Sequence, residues 1–479
     1  MAPTPSRHMI HKICHCIWIY RKILSKALLL ILACSVVKQM EMAINTTTAF
    51  DAANGAHDTN AYLPAADLKK NAINIAQRSP IKAKDWVEQL RNDTIFPEGL
   101  AIDHEPEYYW QAASQWFTPR QVLPPTIQNK ELAGIFHCLR NGKILKASSA
   151  TGGTQRKLLL DLEGGQKVIF KPERSQHYGS VGWDQHHGEI ASFHISRLLD
   201  MRRAPITVGR RINIANELLP VATPELRDTF TTYKNKTENC FYATCEFCRS
   251  MGNITFNPTC PNADGTVEGV MILMLPKQFH KGSVLNFSSF LTPFPISMSF
   301  EKNETLIEAM KSKDYCDAQV KTKIPIEPQL LDIVETSIFD FLIQNLDRHT
   351  YEFIDQEENG AVMLMDQGKT FGLQSADIDD LEILDPLVKC CILRKKKYEH
   401  LQWLSNMEMS FSDAVLRLTS VDVATPPKTG TMKKGNHTTV LREGDLMALD
   451  RRMNIVLNAL ETCFGERSHD EVLADSLLY

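Results

Sequence analysis

Apolar positions recur along this chain with two different periods. In RKLLLDLEGGQKVIFKP (156–172) two short apolar runs flank a Gly-Gly pair, which predicts two strands joined by a tight turn. In HGEIASFHISRLLDM (187–201) the apolar positions fall at helical spacing and predict a helix. EGVMILMLP (268–276) reads as a buried strand ended by Pro276. Residues 327–346 predict a long amphipathic helix, and residues 445–464 a late one. Strands thus dominate the early part and helices the later part, an α+β arrangement. Residues 38 to about 100 are polar and weakly periodic and read as a stem. The segment 421–440 reads as a polar loop.

The chain has 479 residues, 43% of them hydrophobic, enough for a large core in two or three lobes or domains. Its net charge of -4 is small, and nothing points to nucleic acid as a partner. The first 40 residues change the picture. Arg7, Lys12, Arg21, Lys22 and Lys26 precede the apolar run ALLLILACSVV (27–37), the order of a signal peptide or signal anchor. We read it as a type II anchor, with a cleaved signal as the alternative.

Twelve cysteines agree with export. Cys245 and Cys248 have zinc-ligand spacing, but disulfides are the better reading in an exported chain. Adjacent Cys390 and Cys391 point the same way, since sequence neighbours usually serve two separate bridges. Glycosylation sequons occur at Asn45, Asn92, Asn235, Asn253, Asn286, Asn303 and Asn436.

The chemistry concentrates in a few places. Lys171 ends the run VIFK, and a lysine at the end of an apolar strand needs a partner. In a protein kinase such a lysine touches the nucleotide phosphates and pairs with a helix glutamate. Here Glu189 follows 18 residues later inside the predicted helix. FDFLIQNLDRHTYEFI (339–354) then delivers Asp347 and, five residues on, Glu352, at the spacing of a kinase base and its metal-binding residue. Nineteen residues after Asp347 comes Asp366, ending VMLMD ahead of QGKTFG. Taken singly, these are a strand-end lysine, a helix-end Asp347–Arg348 ion pair and a turn. Their ordered co-occurrence supplies what phosphoryl transfer needs: neutralised phosphates, an aimed nucleophile and a proton acceptor. There is no G-x-G-x-x-G loop, TGGTQRK (151–157) standing in its place, and no A-P-E motif.

At these residues the chain resembles the atypical kinases of the secretory pathway, which include the Golgi casein kinase and the glycosaminoglycan xylosylkinase. The pieces are TGGTQ, LEGGQKVIFKP, GEIASFHISRLLD, RAPITVGR, CFYATCEFC, FDFLIQNLDRHTYE, MDQGKTFG and LVKCCI, spread over residues 105–465. LEGGQKVIFKP and PVAT bring it nearer the xylosylkinase branch. The resemblance implies a two-lobed, disulfide-bonded kinase-like fold. Its domains are a tail and anchor over 1–40, a stem over 41–104, an N-lobe with hinge over 105–276 and a C-lobe over 277–479.

It also implies roles. Gln155 and Lys171 contact the ATP phosphates. Glu189 and Asp366 share a metal, preferably manganese with magnesium as an alternative, and Asp366 also contacts ATP. Ile272, Leu273, Met274 and Leu275 form the hinge against adenine. Asp347 is the base and Glu352 an ATP contact. The implied disulfides are Cys240–Cys260, Cys245–Cys248, Cys316–Cys390 and Cys391–Cys463, with Cys138 left over. The chain departs from the family at Thr350, where a second His is usual, and at Gln344, where Gly is usual.

The implied activity is transfer of the ATP γ-phosphate to the 2-hydroxyl of xylose in the proteoglycan linkage region, in the Golgi lumen. The partners are the linkage glycan, the membrane through the anchor, and a homo- or heterodimer. Rival readings are a secreted serine protein kinase of the casein-kinase type, a pseudokinase activator and a disulfide-rich luminal binding module.

Overall fold

The computed structural model describes residues 83–475 apart from 96–103, 129, 152–154, 174–185, 234–238, 246–247, 252–253, 256, 276–283, 286–313, 323–325, 349–350, 354–359, 372–378 and 423–439. The anchor segment 27–37, residues 423–439 of the polar loop and every sequon except Asn92 lie outside the described residues, while Asp422 and Val440 at the two ends of that loop are buried. Among the described residues no helix is long and apolar enough to cross a membrane.

The first lobe is built on a five-stranded antiparallel sheet. Its strands are β1 (Ile144–Ser149), β2 (Leu158–Leu162), β3 (Lys167–Pro172), β4 (Thr207–Asn213) and β5 (Thr266–Leu273), in the spatial order β1-β2-β3-β5-β4. The β2–β3 turn carries Gly164 and Gly165 at φ of 77° and 87°, which explains the glycine pair. A Cβ on Gly164 would also meet the Trp110 ring at 2.8 Å. Helices α1 (Ala83–Asn92), α2 (Pro106–Trp116) and α3 (Glu131–Asn141) precede the sheet. Tyr109, Phe136, Leu160, Phe170 and Met271 share one apolar core between α2, α3 and the sheet.

Helix α4 (His186–Leu198) follows β3 and is buried at all thirteen positions. Phe193 belongs to the core of the first lobe, whereas Ala191, Ile195 and Leu198 belong to a second core. That second core unites α5 (Leu331–Ile343), α6 (Asp385–Cys390), α7 (Lys395–Ser405), α8 (Phe411–Thr419) and α9 (Glu443–Glu466). The strand-rich and helical lobes of the sequence reading are therefore both present, with α4 packed into each.

Two expectations are corrected. Residues 83–95, read as stem, belong to the folded body. Val87 of α1 is fully buried in the helical core, and Trp86 meets Trp403 edge-on at 5.1 Å. The helix read as amphipathic over 327–346 spans 331–343 and is buried on every side. Its acidic residues suggested a wet face, but each is buried against arginine: Asp332 with Arg120, Glu335 with Arg394 and Asp340 with Arg348. Paired and hydrogen-bonded carboxylates can be buried where isolated ones cannot.

Among the described residues there are four disulfides, Cys240–Cys260, Cys245–Cys248, Cys316–Cys390 and Cys391–Cys463, and Cys138 is an unbonded buried thiol. The C-x-x-C pair is thus bonded to itself and is not a zinc cluster.

Candidate active site

Three elements meet at Lys171. Strand β3 brings it in, opposite Val270 of β5, and it is 9% exposed. Its Nζ lies 2.5 Å from Glu189 Oε1, in the first turn of α4, and 2.6 Å from Asp366 Oδ1. Burial alone would depress the lysine, but the two carboxylates outweigh it and raise its pKa, so it stays protonated. The charge of Lys171 in turn holds Asp366 down to about 2, with Lys157 and Lys369 adding to the pull. Glu189 is closed in, whereas the Asp366 side chain is 65% exposed and open to a ligand.

Local packing forces this meeting. A Cβ on Gly188 would stand 2.2 Å from Thr370 Oγ1 and 2.7 Å from the Gln367 carbonyl oxygen. Only glycine lets α4 come this close to the loop carrying Asp366. Asp366 itself has φ of 57°, a left-handed conformation that aspartate tolerates better than most residues. Gln155 reaches the same loop, since a Cβ on Gly368 would meet its Nε2 at 2.5 Å. The Oε1 of Gln155 is buried and has no hydrogen-bond partner among the described residues.

The helix-end motif is held by a network that the sequence reading did not foresee. Arg348 does not pair with Asp347. Its Nε and Nη2 donate to Asp340 at 2.9 and 3.0 Å, and its Nη1 donates to the Met365 carbonyl at 3.1 Å. It therefore ties α5 to the residue before Asp366. Asn345 donates from Nδ2 to Asp340 and to Gln367 Oε1, and its Oδ1 accepts from the Asp347 backbone N–H. Asp347 lies 2.8 Å from Lys369 Nζ. Lys157 and Lys369 were missed; the available signal was a lysine two positions after Gln155 and another three after Asp366.

The remaining expected residues are more peripheral. Ile272 and Leu273 end β5 and pair with Ile169 and Val168 of β3, and the Met274 N–H donates to the Lys167 carbonyl. Leu275 packs at the margin of the first core. Glu352 sits on the short strand Tyr351–Glu352, where its carbonyl accepts from the Met363 N–H.

A strand lysine bridging a helix carboxylate and a loop carboxylate, between an antiparallel sheet and a helical lobe, defines a kinase-type phosphotransferase. The comparisons sharpen the class. The chain belongs to the Fam20 family, whose model, described as Golgi casein kinase, C-terminal, Fam20, matches residues 108–472. The human (Homo sapiens) glycosaminoglycan xylosylkinase is 36% identical over 387 residues, covering 78% of this chain and 85% of that protein. The solved structure of hydra Fam20 with sugar matches with a TM-score of 0.62 at 34% identity, over 76% of this chain and 98% of that one. The Golgi casein kinase structure with Mn/ADP bound shares the fold, with a TM-score of 0.63 at 23% identity, over 88% of this chain and 95% of that one.

Proposed function

We propose that this chain transfers the γ-phosphate of ATP to the 2-hydroxyl of xylose in the glycosaminoglycan–protein linkage region. The observation that carries phosphotransfer is Lys171 held between Glu189 and Asp366. Likeness to the human xylosylkinase and to hydra Fam20 with sugar favours a sugar acceptor over the serine acceptor of a casein-type kinase.

Glu189 and Asp366 offer an all-oxygen donor set suited to Mn²⁺ or Mg²⁺, and the unpartnered Gln155 Oε1 lies against the same loop. Such an ion, when bound, neutralises charge on the nucleotide phosphates. Lys171 and Gln155 orient those phosphates, and Ile272–Leu275 supplies the apolar edge for adenine. Asp347 accepts the proton of the xylose 2-hydroxyl as its oxygen bonds to the γ-phosphorus and the bond to ADP breaks. Glu352 completes the nucleotide contacts.

The four disulfides support a luminal, oxidising compartment. In this reading residues 27–37 anchor the chain in the Golgi membrane, and the exposed Asn92 is an accessible glycosylation site. The test is a transfer assay with labelled ATP and manganese, offering a xylose-containing linkage oligosaccharide and casein side by side. Label on the sugar alone is expected. Label on casein alone moves the chain to the protein-kinase branch, and label on neither, despite ATP binding, makes it a pseudokinase.

A further inference from the structure

His186, His187 and Glu268 have no role in the phosphotransfer proposed above, yet they converge. Among the described residues they form a group of three metal-type donors whose ligand atoms all lie within 4.8 Å of one another. The two histidines open α4, and Glu268 enters from β5. All three are buried, at 5%, 6% and 3% exposure. Both imidazoles bring Nε2 toward one atom, Glu268 Oε1, which lies 3.1 Å from His186 and 3.7 Å from His187. The rings are close, with centroids 3.8 Å apart and planes tilted by 38°. The other carboxylate oxygen, Oε2, faces Arg211 Nη2 at 3.3 Å, from the neighbouring strand β4. The Glu268 carbonyl accepts from the Glu173 N–H at 2.7 Å, which fixes the backbone beneath the carboxylate.

A hydrogen bond accounts for His186, but it does not span the 3.7 Å from His187 to the same oxygen. A metal ion bridges both gaps. Donors about 2.1 Å from a tetrahedral ion stand about 3.4 Å apart. That spacing falls between the two distances seen here. Adjacent helix residues ordinarily point about 100° apart, so the convergence of His186 and His187 on one oxygen is particular to this helix start. Burial pushes His186 down to about 3, so at neutral pH its ring is uncharged, the form that ligates metal. The donor chemistry separates this cluster from the site at Glu189 and Asp366. Two imidazoles and one carboxylate suit Zn²⁺, whereas a pair of carboxylates suits Mn²⁺ or Mg²⁺. Arg211 holds Oε2 and leaves Oε1 to the ion, the kind of outer contact that orients a ligand.

We propose that His186, His187 and Glu268 form a zinc site, separate from the nucleotide's metal, with its fourth position left to water or an outside donor. The ion ties the first turn of α4, which carries Glu189, to β5, whose Val270 lies opposite Lys171. The test melts the full chain, stripped with a chelator and free of nucleotide, both unaltered and as Asp366→Ala, which disrupts only the oxygen site. Zinc at about 100-fold its dissociation constant is expected to raise Tm saturably by about 2–4 °C in both. Magnesium is expected to leave Asp366→Ala unmoved. His187→Asn is expected to lose the zinc-dependent rise. Crystals of the unaltered chain soaked in zinc, which need no variant to fold, are expected to show an anomalous peak about 2.0–2.2 Å from both histidine nitrogens and Glu268 Oε1. The proposal is overturned by no rise with zinc, a rise lost in Asp366→Ala, an equal rise with magnesium in that variant, a rise that survives His187→Asn, or no zinc peak at this cluster.

Discussion

Lys171 Nζ stands 2.5 Å from Glu189 Oε1 and 2.6 Å from Asp366 Oδ1, one cation shared by a buried carboxylate and an open one. Loss of the open carboxylate and loss of the shared cation therefore have different effects. Asp366 is exposed enough that Asp366→Ala should leave folding and secretion intact while abolishing phosphate transfer. Lys171→Met leaves Glu189 enclosed without its cation, and removing one partner of a buried pair costs about 3–5 kcal/mol. That variant should lose stability as well as at least about 10²–10³-fold in kcat/KM. Paired thermal melts and transfer assays check both. Full activity of Asp366→Ala would overturn the assignment of this carboxylate.

The same arrangement sets a pH window. Lys171 holds Asp366 down to about 2 from an ordinary 3.8. At Glu335, burial works upward, but Arg394, Lys397 and Arg203 outweigh it and hold the carboxyl down to about 2 from 4.5. A carboxylate depressed on folding adds stability above its unfolded pKa and loses it as pH falls through the folded one. Stability linked to these groups should therefore be complete above about pH 4.5 and decline progressively toward pH 2. Lys171→Met should move the Asp366 titration back up. Carboxyl NMR titration measures both, and an Asp366 that titrates near 4 in the unaltered chain would contradict the pairing.

Much of this site was legible because its carriers are local. Lys171 ends a strand with a readable apolar pattern, and Glu189 opens a helix with a readable period, so both could be placed from short segments. Adjacent Cys390 and Cys391 could likewise be read as serving two bridges. What escaped is what depends on tertiary partners. Asp332 and Glu335 gave α5 the pattern of a half-wet helix because Arg120 and Arg394 lie far away in sequence, and Asp340 did so because its nearby partner Arg348 reads as paired with Asp347. Lys369 carries no motif, and only the fold sets it against Asp347. Helix α1 is short and polar, and its burial of Val87 appears only once the helical lobe is assembled. Gln344 is intermediate: its φ of 53° at the end of α5 explains why glycine is usual there, though the sequence shows only the departure.

Gly188 predicts a purely steric effect. Its hydrogen faces Thr370 Oγ1 and the Gln367 carbonyl, where a methyl group has no room. Gly188→Ala should force α4 away from the Asp366 loop at a cost of about 1–3 kcal/mol. It should lower transfer at least tenfold, since Glu189 moves with the helix. Gly188→Ala combined with Thr370→Ser keeps the obstructing hydroxyl and should rescue little, whereas Thr370→Gly removes it and should recover part of both losses. Melting and kinetics at parity with the unaltered chain for Gly188→Ala would show that the close approach is not what positions Glu189.

The neighbours Asp347 and Arg348 should separate chemistry from architecture. Arg348 is buried and holds Asp340, which is fully enclosed, together with the Met365 carbonyl. Arg348→Ala strands the Asp340 carboxylate and should cost about 3–5 kcal/mol. Arg348→Lys should recover little, because a lysine cannot reproduce the two-point contact and reach Met365 as well. Asp347 faces Lys369, and both side chains are partly exposed to water. Asp347→Asn should therefore melt within about 1 kcal/mol of the unaltered chain. Its phosphate transfer should still fall at least about 10²-fold, because the amide cannot accept the hydroxyl proton. ATP binding, read by nucleotide-dependent stabilisation, should survive Asp347→Asn and weaken in Arg348→Ala. Undiminished transfer by Asp347→Asn would remove Asp347 from the role of base and leave another group to be found for it.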